Sequence, residues 1–302
     1  MDDKIRSNNI YDFKKNKNLY FMMLPFLILF FTFTILPVIT SIIFSFTDFN
    51  VLQFPGYVGL ENYKKLLLND TIFLAAIKNT FIIAVITGPI GYLLSFLMAW
   101  LINELPTKIR AVLTIIFYAP SISGNVYLIF TLLFSNDPYG YLNAKLLDWG
   151  IIETAILWLK DPKYMLTIVI IVSLWMSLGF GFLSFIAGLQ TIDKTQYEAG
   201  EVDGISNRWQ ELWFITLPNM KPQLMFGAVM AITSSLGVGD LTTALVGFPS
   251  PGYATHTIVN HLNDYGSIRM EMGYASSIAV LLFGTMIICN RLVQRFIKRV
   301  GT

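Results

Sequence analysis

Six long apolar stretches alternate with polar ones along the chain, at residues 19–46, 73–102, 111–134, 165–188, 222–245 and 272–296. A helix rises about 1.5 Å per residue and the hydrocarbon layer is about 30 Å thick, so each stretch is long enough to cross it. Inside lipid the backbone must satisfy its own hydrogen bonds, which makes each stretch a helix. The pattern therefore predicts an all-α polytopic membrane protein with six transmembrane helices. The first stretch exceeds the apolar core of a signal peptide and lacks a small-residue cleavage site, so it reads as an uncleaved span. Pro25, Pro37 and the Gly88-Pro89 pair mark kinks that lipid-embedded helices tolerate. Residues 1–18 and 297–302 read as polar tails, 19–72 as the first span with an outside loop, and 73–296 as the core.

The most informative polar interruption is 190–222, centred on EAGEVDGISNRWQELWFITLPNMKP at 198–222. It carries Glu198, Glu201, Asp203, Arg208, Glu211 and Lys221 between two apolar runs, as a water-exposed loop would. Asp193 with Gln196 three residues on has capping-box spacing and starts a first short helix. Gly200 and Gly204 bracket a turn, and Ser206 is a cap for a second helix. In that second helix Trp209, Leu212, Trp213, Thr216 and Leu217 recur at helical spacing, and Pro218 is expected to end it. The Trp209/Trp213 pair reads as a docking surface or a bilayer anchor.

Within this loop Glu198-Ala199-Gly200, Asp203-Gly204 and Ile215-Thr216-Leu217-Pro218 resemble the EAA loop of the membrane subunits of binding-protein-dependent ABC importers. Gly200 stands where that family has a second Ala, and the gap from Gly204 to Ile215 is one residue longer. Gly59-Leu60-Glu61-Asn62-Tyr63 and Tyr139-Gly140-Tyr141-Leu142-Asn143 resemble stretches of sugar-importer permeases. Gly247-Phe248-Pro249-Ser250-Pro251 and Ala254-Thr255-His256-Thr257 look closest to the oligosaccharide branch. The resemblance implies a type I ABC importer permease fold. It implies that Glu198, Ala199, Gly200, Asp203, Gly204, Ile215, Leu217 and Pro218 form the coupling element seated in an ATPase. It also implies a second homologous permease, two ATPase subunits holding ATP and Mg, an extracellular solute-binding protein and a sugar substrate. The alternatives are a permease for a non-sugar solute and an ion-coupled secondary carrier. The carrier would need several buried ionisable residues and an internal repeat, and neither is evident.

Charge sets the expected orientation. Lys4, Arg6, Lys14, Lys15, Lys17, Lys108, Arg110, Lys194, Arg208, Lys221, Arg291, Arg295, Lys298 and Arg299 fall on the side of the 190–222 loop. Lys64, Lys65, Lys78, Lys145, Lys160, Lys163 and Arg269 fall on the other. The positive-inside rule then puts both termini and that loop in the cytoplasm. A net charge of +2 gives no reason to expect a nucleic-acid partner, and the lone Cys289 excludes an internal disulfide. There is no phosphate-cradling G-x-x-x-x-G-K-[ST] run, so ATP hydrolysis belongs to another subunit. No metal-ligand spacing is present, and His256 and His261 read as ordinary surface histidines of an outside loop. Asp240 is the acid set deepest in a span. It either faces a water-filled path, where it hydrogen-bonds a solute hydroxyl, or caps the helix that resumes after Gly237 and Gly239. Ser121, Ser123 and Asn125 are weaker path candidates, since such groups often bond between helices.

Overall fold

The computed structural model describes residues 16–125 and 127–297; the two tails expected at the ends of the chain lie almost wholly outside them. The described residues form helices, with one isolated bridge between Thr47 and Tyr57. Helix α1 (Asn18–Phe44) is the first span, and its apolar side chains are largely uncovered, as lipid-facing residues are. Helix α2 (Thr71–Asn103) runs unbroken through Pro89, and Asp70 caps it by accepting from the Phe73 amide at 2.8 Å. Helix α13 (Met272–Ile297) is the last span.

The other three apolar stretches are interrupted. The third was expected as one rod; it folds as α3 (Thr107–Ile122) and α4 (Tyr127–Leu133), bent by 84°. The break falls on the polar Ser123, Gly124 and Asn125, which leave the helix where an apolar chain would have continued it. After the short α5 (Tyr141–Asp148), the fourth is α6 (Pro162–Met176) and α7 (Phe180–Thr191), divided at Ser177–Gly179. The fifth, after the polar segment, is α10 (Lys221–Leu236) and α11 (Asp240–Val246), bent by 45° at Gly237-Val238-Gly239. Pro222 sits in the first turn of α10, where its missing N–H costs nothing.

Helices α2, α7 and α10 pack on one another, and α10 and α1 pack on α13. Phe182, Phe185, Phe96 and Leu224 centre the core near one end, and Phe73, Tyr274 and Ile278 centre it near the other. Gly227 lets α10 approach α7 closely, because a side chain there would meet the ring of Phe185. Two of the quoted motifs act through single asparagines. Asn62 Nδ2 donates to the carbonyls of Ser45 and Thr47, at 3.0 and 2.8 Å, pinning the end of α1. Asn143, 1% exposed, joins 135–137 to Ile156 and Trp158 through its amide.

Candidate functional site

The 190–222 segment folds as an elbow protruding from one end of the bundle. Its first helix, α8 (Lys194–Val202), starts at Asp193, which accepts from Thr195 N at 3.1 Å. Gln196 does not complete a capping box; its Oε1 accepts from Asn219 Nδ2 at 2.6 Å and ties the base of the elbow together. The second helix, α9 (Arg208–Glu211), is capped by Asn207, not Ser206: Asn207 Oδ1 accepts from Gln210 N at 2.9 Å. Ser206 is instead held by its own amide, which donates to Gln210 Oε1 at 2.9 Å.

Nor does Pro218 end the second helix. A π turn over Leu212–Thr216 widens the coil ahead of it, and Leu217–Asn219 carries the helical path on toward α10. The wider turn removes the four-residue hydrogen bond that proline would have broken. Thr216 Oγ1 and Tyr197 Oη lie 3.0 Å apart and tie the two helices together. Gly200 is buried, and a Cβ there would lie 2.6 Å from Ile215 Cδ1. The isoleucine thus fills the space that an alanine at 200 would need. Gly204 turns the chain at φ +91°, a conformation that only glycine adopts without strain. Inward, Ile215 is buried and Leu217 and Pro218 are half-buried; outward, Glu198, Ala199, Glu201, Val202, Asp203 and Gly204 are exposed. The tip is therefore rigid from within and acidic on its face.

A cavity of about 390 Å³ lies among α2, α3, α6, α7, α10 and α11. Hydroxyls dominate its polar lining: Tyr92 and Ser95 from α2, Ser121 from α3, Ser173 from α6 and Ser234 from α10. The Ser173 hydroxyl is buried with no partner among the described residues. Asp240 lines the cavity as its one charged side chain. It is the first residue of α11, exposed and without a capping bond; Gly239 holds the cap position. Ser121 also lines the cavity, while its own hydroxyl donates to the Tyr118 carbonyl at 2.8 Å. Ser123 and Asn125 are exposed in the break after α3 and do not line it. The serines on α6 and α10 escaped sequence reading, although their recurrence within apolar spans was a signal.

The far end of the bundle overturns the reading of the histidines. His256 and His261 are 2% and 1% exposed, packed between α2 and the short α12 (Ile258–Asn263). Asp70 Oδ2 accepts from Tyr274 Oη at 2.8 Å and lies 3.1 Å from His261 Nε2. With the carboxylate ionised, His261 Nε2 carries the proton, so Nδ1 accepts from His256 Nε2 at 3.2 Å. Burial would raise the Asp70 pKa, but the Phe73 amide, Tyr274 and His261 together hold it below the ordinary value. Burial pushes His256 down to about 4, helped by His261, against the opposing pull of Asp264 and Asp70. Burial also lowers His261, although Asp70 opposes it. Both rings are thus neutral when folded and bind protons on unfolding. The contribution of His256 to stability is present above the ordinary value of 6.5 and is lost as pH falls from there toward about 4, and that of His261 is likewise lost as pH falls below the ordinary value. The thermal midpoint of the purified protein is expected to drop over that window. His256→Gln should flatten the slope; an unchanged slope in that variant would refute the assignment.

The molecule thus combines a membrane body, a mostly apolar cavity with several hydroxyls in its wall, and a protruding elbow. The model of the binding-protein-dependent transport system inner membrane component family matches residues 89–302. The probable ABC transporter permease protein YesP of Bacillus subtilis is 32% identical over 274 residues, covering 88% of this chain and 85% of YesP. The lactose transport system permease LacF of Rhizobium radiobacter is 28% identical, covering 88% of this chain and 89% of LacF. The arabinooligosaccharides transport system permease AraP of Halalkalibacterium halodurans is 26% identical, covering 92% and 87%. The crystal structure of a bacterial ABC transporter that imports the acidic polysaccharide alginate has a chain of the same fold, with a TM-score of 0.77 at 23% identity over 98% of this chain and all of that one. The match over more than two thirds of the sequence, with the fold and the relatives in agreement, makes this chain a member of the binding-protein-dependent transport system inner membrane component family.

Proposed function

We propose that this chain is the membrane-spanning subunit of an ATP-driven carbohydrate importer in the cell membrane. The observation that carries the coupling half of this reading is the elbow itself. Among the described residues nothing covers Glu198, Glu201, Val202 or Asp203, although the helices beneath them are held by the Tyr197–Thr216 and Gln196–Asn219 contacts and by Ile215 packed on Gly200. A rigid, uncovered tip is what transmission from a moving ATPase subunit requires. Two such ATPases supply ATP and Mg, and a second homologous permease completes the path. The excess of Lys and Arg on the elbow side puts that side in the cytoplasm, so the histidine end faces out, toward the solute-binding protein.

The cavity supports a sugar as the solute. Its serine and tyrosine hydroxyls and the Asp240 carboxylate suit neutral, hydroxyl-rich molecules, and among the described residues its lining holds no Lys or Arg. The relatives named for lactose and arabinooligosaccharides accord with this, and a carboxylated sugar such as alginate would meet Asp240 as a like charge. One carboxylate in the cavity does not favour an ion-coupled carrier. The reading is tested by purifying the native complex and reconstituting it in vesicles. Uptake of a neutral oligosaccharide should require both ATP and the binding protein. Uptake that needs neither would reject it, and a cysteine at Glu201 that reacts from outside the cell would reject the orientation.

A further inference from the structure

We infer that Arg208 is a positioning residue that fastens the elbow to the second span, so that elbow motion is delivered to α2 as well as to α10. The inference rests on the reading of the elbow as the coupling element. Arg208 grips two carboxylates on separate elements: Nη2 lies 3.0 Å from Glu104 Oε2, and Nη1 lies 2.8 Å from Glu211 Oε2. Glu104 is the residue on which α2 ends, and Glu211 belongs to α9. The planar guanidinium can hold both at once, which a lysine point charge cannot do with fixed direction. Beside this clamp the rings of Trp100 on α2 and Trp209 on α9 stand 5.4 Å apart. Besides its two chain connections, to α7 and to α10, the elbow is therefore attached through side chains onto α2.

The attachments to α10 and to α2 lead to different places. Helix α10 stops at Leu236 and bends by 45° into α11, so its displacement is delivered to the cavity wall. Helix α2 has no break over its 33 residues, a rod of about 50 Å. Its far end holds the other face of the molecule. Asn79 Nδ2 donates to the carbonyls of Tyr253 and His256, both at 3.0 Å, and Thr80 Oγ1 accepts from Ile258 N at 2.9 Å. Asp70, at the head of the rod, holds His261 and Tyr274. A shift of α2 imposed by Arg208 would reach the 253–261 segment through one helix and its direct hydrogen bonds.

The clamp is exposed, with Arg208 at 64% and Glu104 at 40%, so it adds little to folding and its removal leaves an assembled protein. The test uses the full complex with its ATPases and binding protein, comparing Arg208→Gln, Glu104→Gln and the double variant. The quantity read is solute transported per ATP hydrolysed, which a mere loss of folded complex would not change. Each single variant should lower that ratio about fivefold, the small end of a typical coupling free energy. The double variant should be no worse than Arg208→Gln alone, because that single variant already removes the contact with Glu104. A wild-type ratio in both single variants, or losses that multiply in the double, would overturn the clamp. Absence of ATP-driven uptake in the unsubstituted complex would instead overturn the importer reading on which it rests.

Discussion

Gly204→Asp is expected to abolish most uptake while leaving the complex assembled and able to hydrolyse ATP. Gly204 sits at φ +91°, and any L side chain there costs about 1–2 kcal/mol of backbone strain. A Cβ at this position meets nothing within 4 Å, so the substitution adds no clash and the bundle keeps its packing. The strain is relieved locally, by changing the turn between α8 and α9. That turn sets the angle at which the acidic tip is presented, and a fixed angle is what transmission needs. Uptake per ATP should fall by more than about tenfold, as displacements of about 1 Å do at positioned sites. A variant with wild-type uptake would show that the angle of the tip does not matter.

The second large effect is expected at Asp240. If its carboxylate hydrogen-bonds the solute, Asp240→Ala should raise the apparent KM for uptake by about tenfold to a hundredfold, the range for a bond to a charged group. Asp240→Asn, which keeps an acceptor, should lose less. The competing role, a favourable charge on the first turn of α11, predicts a different signature. There both variants would lower the thermal midpoint and leave KM unchanged. Transport kinetics and thermal unfolding of the same two variants separate the possibilities.

The pattern of apolar runs carried the helical class, because lipid admits few alternatives for a run of that length; of the six crossings expected, four are long apolar helices and two are bent pairs. The pattern did not carry the breaks at 123–125 and 177–179. Those depend on whether polar side chains find partners within the membrane, which is a tertiary matter. Gly237 and Gly239 did announce the third break, since two glycines in one turn weaken a helix wherever they occur. In the elbow, both helices were legible from caps and periodicity. The cap was displaced by one residue because Ser206 and Asn207 are both good caps, and only the Gln210 contact decides between them. Pro218 misled because a π turn is invisible to propensity. The histidines were misjudged for a plain reason: the carboxylate that orders His261 is Asp70, 191 residues away in sequence. No local spacing reports such a pair. Of the cavity residues, Asp240 and Ser121 stood out as polar groups in apolar runs. Ser173 and Ser234 look the same in sequence, and only the packing of α6 and α10 against α2 shows that they face one space.

The account depends most on the claim that the elbow tip docks in a cytoplasmic ATPase subunit. Val202, 88% exposed at the end of α8, is the residue best placed to report it. The direct measurement is cross-linking in the native complex from Val202→Cys labelled with a thiol-reactive photo-crosslinker, with Cys289→Ser removing the natural thiol. The account predicts a cross-link to the ATPase subunit, made stronger or weaker by ATP. An assembled complex in which that cysteine joins no ATPase, or joins the solute-binding protein, would contradict it.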